Sequence, residues 1–379
     1  MSIRVAIDVT TAVTQRAGIA RYTRELVRSL AALPDGPELR PFYIAPREDI
    51  PLGDGLHPLG VRQGIYARYF DMMARHALHR PAGGPWDGAQ VYHAEVIVYP
   101  PVRKMPVVTT VHDLSYMIYP RFHTRLYGSY LQLLTPTMVR GAQMVIAVSE
   151  STKRDLVERT GVPAHNVRVI YPGVGSIFRQ PLSPERVADV RRRHGLTDGF
   201  ILSVGTLEPR KNLHGTLQAY RSLRARLPDA PPLILIGGSG WRLDAQRLLP
   251  ASEAAYVRRL GYVPDEDLAA LYASCSAFVY PSLYEGFGSP VAEALTLGAP
   301  TLTSNVSSLP EVAGDVAVLV DPRDPEEIAM ALERILTDSA LAARLRAAGP
   351  IQTGQFSYDR CASETMRVYE EAIARYGHA

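Results

Sequence analysis

Short runs of β-branched and other apolar residues alternate with longer stretches whose apolar positions recur every three or four residues, along nearly the whole chain. Such alternation predicts βαβ units wound around parallel sheets. In the first half it places strands at 3–9, 39–45, 89–94, 106–112, 143–148 and 167–170, with helices at 19–32, 65–79, 124–140 and 151–160. In the second half strands fall at 200–205, 232–236, 277–280, 301–303 and 316–320, and helices at 212–226, 265–273, 289–297 and 325–336. Between the halves, Tyr171-Pro172-Gly173-Val174-Gly175 and the Pro- and Arg-containing stretch 180–193 read as a linker. Gly349-Pro350 is expected to break a helical pattern before a last helix at 357–376, whose apolar positions include Tyr358, Cys361, Tyr369 and Ile373. The pattern describes an α/β chain of two doubly wound domains, 1–180 and 181–356. Ligands of such sheets lie beyond the carboxyl ends of the strands, so the chemistry is expected there and in the cleft between the domains.

A length of 379 residues suits two domains. With 46% hydrophobic and 21% charged residues the chain has the composition of a soluble globular protein. Two cysteines, Cys275 and Cys361, are too few for a secreted disulfide framework or a cysteine-built zinc site, and they suit a reducing compartment. The first residues read as a strand rather than an export signal, and no apolar run approaches the roughly 18 residues of a membrane span. A cytoplasmic protein is therefore expected. The net charge of +3 divides unevenly, with +7 on residues 1–180 and −4 on residues 181–379. A basic first half suits an anionic lipid surface, a phosphorylated substrate or nucleic acid, and charge alone does not choose among them. Residues 62–80 combine Tyr66, Phe70, Met73 and Ala77 at helical spacing with Arg62, Arg68, Arg75, His76 and His79, a pattern able to lie on an anionic membrane or to form an ordinary half-buried helix.

The densest chemistry runs from Tyr280 to Ala294, where a strand end passes through a glycine-flanked loop into a helix. Ser289 is placed to cap that helix and Pro290 to open it. Gly286 and Gly288 permit close backbone approach, so the N–H groups of Phe287, Gly288 and Ser289 can face a ligand oxygen. Glu285 and Glu293, with seven residues between them, can present two carboxylates to a polyhydroxylated ligand at different depths. The alternative is a solvated Glu285 and a Glu293 that merely favours the helix start. Gly205-Thr206-Leu207-Glu208-Pro209-Arg210-Lys211-Asn212 follows another strand and sets Arg210 and Lys211 at a helix N-terminus, where cations are unfavourable unless an anion neutralises them. That arrangement suits a diphosphate. Val111-His112-Asp113 ends a first-half strand, and Gly18-Ile19-Ala20-Arg21 opens the first helix. After the strand at 232–236, Ile236-Gly237-Gly238-Ser239-Gly240-Trp241 carries Leu243 where a dinucleotide fingerprint has its last glycine, which argues against a nicotinamide enzyme.

Taken together, these residues resemble the retaining glycosyltransferases of the GT-B architecture, family 4, and within it the bacterial polysaccharide and lipopolysaccharide mannosyltransferases. The resemblance is strongest over 200–322, includes Gly261-Tyr262-Val263-Pro264-Asp265 and Ser304-Asn305-Val306-Ser307-Ser308-Leu309-Pro310-Glu311, and preserves the paired-glutamate spacing of Glu285 and Glu293. It implies two Rossmann-like domains facing each other across a cleft, with the last helix packing back on the first domain. It further implies that Glu285 and the backbone of Phe287, Gly288 and Ser289 hold the donor sugar and its phosphates. Glu293 would grip the ribose, Arg210 and Lys211 would neutralise the diphosphate, and Tyr262 and Val263 would border the base. Gly205 lies in the same loop as the two cations. On the first domain, Gly18 would approach the diphosphate and His112 the sugar. The short Gly18-Ile19-Ala20 loop departs from the family pattern by lacking a second adjacent glycine.

The expected reaction moves a hexose, mannose from GDP-mannose, from a nucleotide diphosphate sugar to a lipid-linked or oligosaccharide acceptor. It is expected to retain configuration and to use no metal and no cofactor. The expected partners are that donor, that acceptor and an anionic membrane surface, with no nucleic acid. Two rivals are a glycoside hydrolase that uses Glu285 and Glu293 as its carboxylate pair and a non-enzymatic nucleotide-sugar-binding protein.

Overall fold

A computed structural model describes residues 2–15, 18–45, 58–62, 86–102, 104–196, 199–238, 240 and 251–377. They group into two units, one made of Met1–Ile118, Arg125–Gly173 and Ser357–Ala379, the other of Tyr119–Thr124 and Val174–Phe356.

The first unit is built on seven strands: β1 (Arg4–Asp8), β2 (Glu38–Ala45), β3 (Leu59–Arg62), β4 (Val91–Ala94), β5 (Val107–Val111), β6 (Met144–Ala147) and β7 (Val167–Val169). They pair in parallel in the order β3-β2-β1-β4-β5-β6-β7. Every residue of β4, β5 and β6 is buried, as expected of a parallel sheet covered on both faces. The helix Ile19–Ala32 buries Tyr22, Leu26 and Leu30 at helical spacing against Val5 and Val91 of the sheet.

The C-terminal helix Tyr358–Gly377 joins the same apolar cluster through Cys361, Ala362, Val368 and Tyr369. Its polar face is tied down by Glu371, which accepts from Arg168 and from Arg375, and by Arg375, which donates to Asn166. Gly173 lies so close to this helix that a Cβ there would stand 2.3 Å from the Tyr358 nitrogen, which fixes glycine where the chain meets the returning helix.

The second unit carries β8 (Ile201–Val204), β9 (Leu233–Ile236), β10 (Val257–Gly261), β11 (Ala277–Tyr280), β12 (Thr301–Ser304) and β13 (Val318–Val320), all parallel, in the order β10-β9-β8-β11-β12-β13. Both sheets are doubly wound, and each reverses its strand order once, between β1 and β4 in the first and between β8 and β11 in the second.

Four expectations change. The β3 and β10 strands are absent from the sequence prediction because each pairs with one neighbour only, and β10 carries Arg258 and Arg259 in place of an apolar run. The stretch read as a linker contains a helix, Pro184–Arg193, opened by the Ser183 side chain accepting from the Arg186 N–H. Asp267 holds that helix in the second unit by accepting from Arg186, from both terminal nitrogens of Arg193 and from His194. The chain therefore leaves the first unit after Gly173, before the boundary expected near 180, and Phe178 is buried edge-on against Tyr272 of the second unit. Finally, Gly349-Pro350 does not break its helix, which runs through both as Ser339–Gln352. Gly349 is needed there for close packing, since a Cβ would stand 2.6 Å from the Leu295 carbonyl oxygen. The helix expected at 65–79, and with it most of the basic pattern over 62–80, lies outside the described residues.

Candidate active site

Where a doubly wound sheet reverses its strand order, the loops leaving the two central strands diverge and open a crevice. In the second unit those loops follow β8 and β11, and they carry Arg210, Lys211 and Glu285. Glu285 is buried, with 6% of its surface exposed, and its carboxylate accepts from four donors, three on Oε1 and one on Oε2. Oε2 accepts from Arg210 Nη1 at 2.6 Å, while Oε1 accepts from Lys211 Nζ at 2.8 Å, Tyr280 Oη at 2.9 Å and Ser282 Oγ at 2.6 Å. Arg210 also donates to the Tyr284 carbonyl and, through Nη2, to Glu208 at 2.6 Å. Two carboxylates thus balance two cations in a buried, electrically neutral cluster.

The electrostatics of the pair are lopsided. Burial alone would raise the Glu285 pKa, but the Arg210 and Lys211 charges and the hydrogen bonds from Lys211 and Ser282 overcome it and hold the group at about 2. Lys211 moves the other way. Burial and the neighbouring Arg210 charge lower its pKa despite the attraction of Glu285 and Glu208. Its ammonium lies 5.1 Å from the centre of the Tyr280 ring, and its stem runs over Gly205, whose open Cα leaves room for it.

The loops are held by residues that sequence spacing did not reveal. Asn212 sits at φ +57°, caps the next helix by accepting from the Gly215 N–H, and donates to the carbonyls of Pro281 and Pro322. Ser307, at φ +55°, accepts from the Glu285 N–H, while the Ser308 hydroxyl is shared between the carbonyls of Glu285 and Phe287. Ser304 donates to the Ser282 carbonyl. These serines lie in a segment already singled out by resemblance, but only the fold shows that they buttress the glutamate loop. Phe287 is buried edge-on against Phe356.

The helix beginning at Ser289 is capped by Gly288, at φ +103°, rather than by the Ser289 side chain, so the serine is the first helical residue and not the cap. A side chain at Gly288 would suffer that backbone angle and place its Cβ 2.7 Å from a Leu309 methyl. Glu293, one turn into this helix, is buried and accepts from Tyr272 Oη at 3.3 Å.

The other expected donor residues lie on the same edge of the sheet. Gly205 follows β8, and Gly237 after β9 approaches it so closely that a Cβ would stand 1.9 Å from the Gly205 oxygen. Tyr262 and Val263 follow β10, the tyrosine exposed and the valine buried. On the first unit Gly18, at φ +59°, precedes the helix Ile19–Ala32, and a side chain there would meet nothing within 4 Å. His112 follows β5, with the Tyr22 ring edge-on at 4.8 Å. Its Nε2 is buried without a hydrogen-bond partner and lies 3.7 Å from Glu95, a residue that the sequence reading did not mark.

A parallel α/β sheet with paired cations and a carboxylate at its reversal point places a charged cluster at the strand edge where ligands of such sheets bind. The comparisons make the class specific. Residues 16–175 match the Glycosyltransferase Family 4 model and residues 188–352 the model of Glycosyl transferases group 1. The chain is 33% identical over 366 residues to O-antigen chain mannosyltransferase B of Escherichia coli, covering 93% of this chain and 96% of that protein. The chain belongs to this glycosyltransferase family. The structure resembles the sucrose-phosphate synthase of Thermosynechococcus elongatus, with a TM-score of 0.76 at 20% identity, over 98% of this chain and 100% of that one. It also resembles Anabaena HepE in complex with UDP and glucose, with a TM-score of 0.74 at 17% identity, over 97% and 99%. The fold is therefore that of the GT-B glycosyltransferases.

Because the folded Glu285 pKa lies below its unfolded value of about 4.3, its ionised form stabilises the fold above that value and the stabilisation is lost as pH falls toward 2. Glu285→Gln is expected to lower stability at pH 7 by about 3 kcal/mol, with the deficit shrinking between pH 5 and 2. Urea midpoints of both proteins across that range check it, and a deficit independent of pH would show that the carboxylate charge is not what matters.

Proposed function

We propose that this glycosyltransferase moves mannose from GDP-mannose onto a lipid-linked or oligosaccharide acceptor in bacterial surface polysaccharide synthesis, with retention of configuration. The observation that carries the reading is the Arg210–Lys211–Glu285 cluster at the reversal point of the second sheet. Breaking a glycosyl phosphate bond pushes negative charge onto the diphosphate. Cations already held in place stabilise that charge more than they stabilise the ground state. Arg210 and Lys211 are held by Glu285, Glu208 and a backbone carbonyl, so little reorganisation is required of them. They supply the positive charge that a metal would otherwise provide, and no metal is assigned.

Glu285 plays two parts in this reading, fixing the cations and accepting a sugar hydroxyl, while Glu293 receives the ribose. Tyr262 and Val263 border the base. His112 and Gly18 are the first unit's contributions toward sugar and diphosphate. No side chain is assigned as a base, because the departing phosphate can take the acceptor proton in a front-face displacement. Mannose and the surface-polysaccharide acceptor rest on the O-antigen mannosyltransferase relative. A hydrolase is disfavoured by the same cluster, since Glu285 is held ionised, which suits it poorly to protonate a leaving group, and has both oxygens engaged by donors, which suits it poorly to attack as a nucleophile.

The reading also includes attachment to the inner face of the cytoplasmic membrane. Among the described residues no helix is long and apolar enough to cross one. The support for surface attachment is the helix Arg125–Gly141, where Leu126 is 90% and Leu133 76% exposed, one above the other at a spacing of seven. From Leu114 to Ser149 there is no Asp or Glu, while Arg121, Arg125 and Arg140 are present and exposed. An apolar stripe flanked by arginine without compensating acid suits anionic lipid.

Three measurements test these readings. Melting-temperature screening is expected to give a larger rise with GDP-mannose than with other nucleotide sugars, since a ligand bound only by the native state stabilises it in proportion to affinity. Lys211→Ala is expected to lower transfer by roughly 10²-fold with the fold retained, and near-normal turnover would remove the lysine from the mechanism. The pair Leu126→Asp and Leu133→Asp is expected to abolish flotation with vesicles rich in anionic lipid. Binding to neutral vesicles that survives the pair, or self-association lost with it, would reassign that face.

A further inference from the structure

The reversal point of the first sheet holds a carboxylate with an unusual environment. Glu95 directly follows β4, the strand beside which the order reverses, and it is 1% exposed. Neither of its oxygens has a hydrogen-bond partner. A buried carboxylate without hydrogen bonds bears a desolvation cost. Two imidazoles are near. His93 Nε2 stands 3.4 Å from Oε1, and His112 Nε2 stands 3.7 Å from Oε2.

The two histidines differ in what they have left to give. His93 is fully buried with both nitrogens engaged, Nδ1 with Tyr369 Oη at 2.7 Å and Nε2 with Thr110 Oγ1 at 2.8 Å. Burial lowers its pKa, so it stays neutral. His112 has one buried nitrogen, Nε2, which faces Glu95 and has no partner. The ring is partly exposed, at 14% of its side-chain surface, so Nδ1 is the nitrogen left to meet a ligand. The remaining titratable neighbours of Glu95 are Tyr22, Tyr369 and Cys361, and burial pushes all three upward, the thiol to about 12, so they contribute no charge. The three groups are not placed to hold a metal ion among the described residues.

We infer that Glu95 is a positioning residue for His112: its carboxylate draws the Nε2–H inward and presents Nδ1, at the strand edge, as the acceptor for a hydroxyl of the transferred sugar. A gap of 3.7 Å is too long for a hydrogen bond. Contacts of this kind tighten when the substrate loads the outer nitrogen, and the histidine tautomer is then set by the group behind it. The inference deepens the proposed reaction and rests on His112 facing the sugar. Its physical core, the Glu95–His112 pairing, is measurable without any turnover.

The discriminating variant is Glu95→Leu, of similar volume. If the carboxylate has no structural partner, replacing it with an apolar side chain leaves the melting temperature unchanged or higher. In protein labelled with ¹⁵N at histidine, with His112→Phe to assign the signal, wild type is expected to show His112 protonated at Nε2, and Glu95→Leu to shift the ring toward the other tautomer. Turnover in that variant is expected to fall roughly 10²-fold, with the donor KM changed less than about threefold, whereas Glu95→Asp recovers part of it. An unchanged His112 signal overturns the inference, as does a shifted signal with full turnover. A melting temperature that falls in step with activity would mark Glu95 as a packing residue and overturn it as well. Wild-type protein inert with every nucleotide sugar would instead count against the proposed reaction, while the ¹⁵N result would still decide the pairing.

Discussion

The Glu285 carboxylate, held between Arg210 and Lys211, is the contact on which the geometry of the second unit turns. It joins the loop after β8 to the loop after β11 across the point where the sheet reverses, and it does so with four donors on two oxygens. Set against apolar residues of the same volume, a buried charged cluster of this kind has little advantage in stability, whereas removing one partner is costly because it leaves the other charge buried and unpaired. Its value lies in position. The Arg210 guanidinium cannot swing away while Glu285, Glu208 and the Tyr284 carbonyl hold it. The Lys211 ammonium, whose charge burial and Arg210 disfavour, gains from any further anion brought close. In the proposed reaction, cations held under such tension would be ready for a diphosphate before one arrives.

The surrounding structure serves that contact. Asn212 takes a left-handed conformation to cap one helix while its amide donates to carbonyls of two neighbouring segments. Ser307 and Ser308 satisfy polar groups of the glutamate loop that would otherwise be buried unpaired. Gly237 and Gly288 permit approaches that a side chain would block. Removing any one of these residues leaves Glu285 chemically intact but free to move, and a displacement of even 1 Å from productive geometry costs far more rate than stability.

Most of the strands, and Arg210, Lys211 and Glu285 of the cluster, were legible in the sequence, because each rests on a local signal. Buried parallel strands such as 144–147 are uninterrupted apolar runs, and Arg210-Lys211 stands out as a pair of cations at a helix start. What was not legible depends on partners distant along the chain. The β10 strand has arginines where a buried strand would be apolar, since it lies at an edge and Arg258 reaches back to the carbonyls of His194 and Gly195. The helix Pro184–Arg193 reads as linker because its basic face is matched by Asp267, some eighty residues away. Gly349 reads as a breaker until Leu295 is packed against it. The Ser289 cap was misjudged by one position because Gly288 can take a left-handed conformation that a serine takes at a cost.

The two units place a glutamate at comparable points of their sheets, each just beyond the strand that follows the reversal, and the contrast between them is informative. Glu285 is met by two cations and two hydroxyls, and Glu95 by none, although both are almost completely buried. Among the described residues no donor in the packing satisfies the carboxylate at 95: Tyr22, Cys361 and Tyr369 nearby remain uncharged, and His93 already bonds Tyr369 and Thr110. A buried carboxylate without hydrogen-bond partners points to a use outside the packing of the core. The first unit's reversal point already holds the one residue of this cluster with an accessible ring nitrogen, His112. Its buried nitrogen faces Glu95, and the other is the nitrogen left for a ligand of the kind that such strand edges bind.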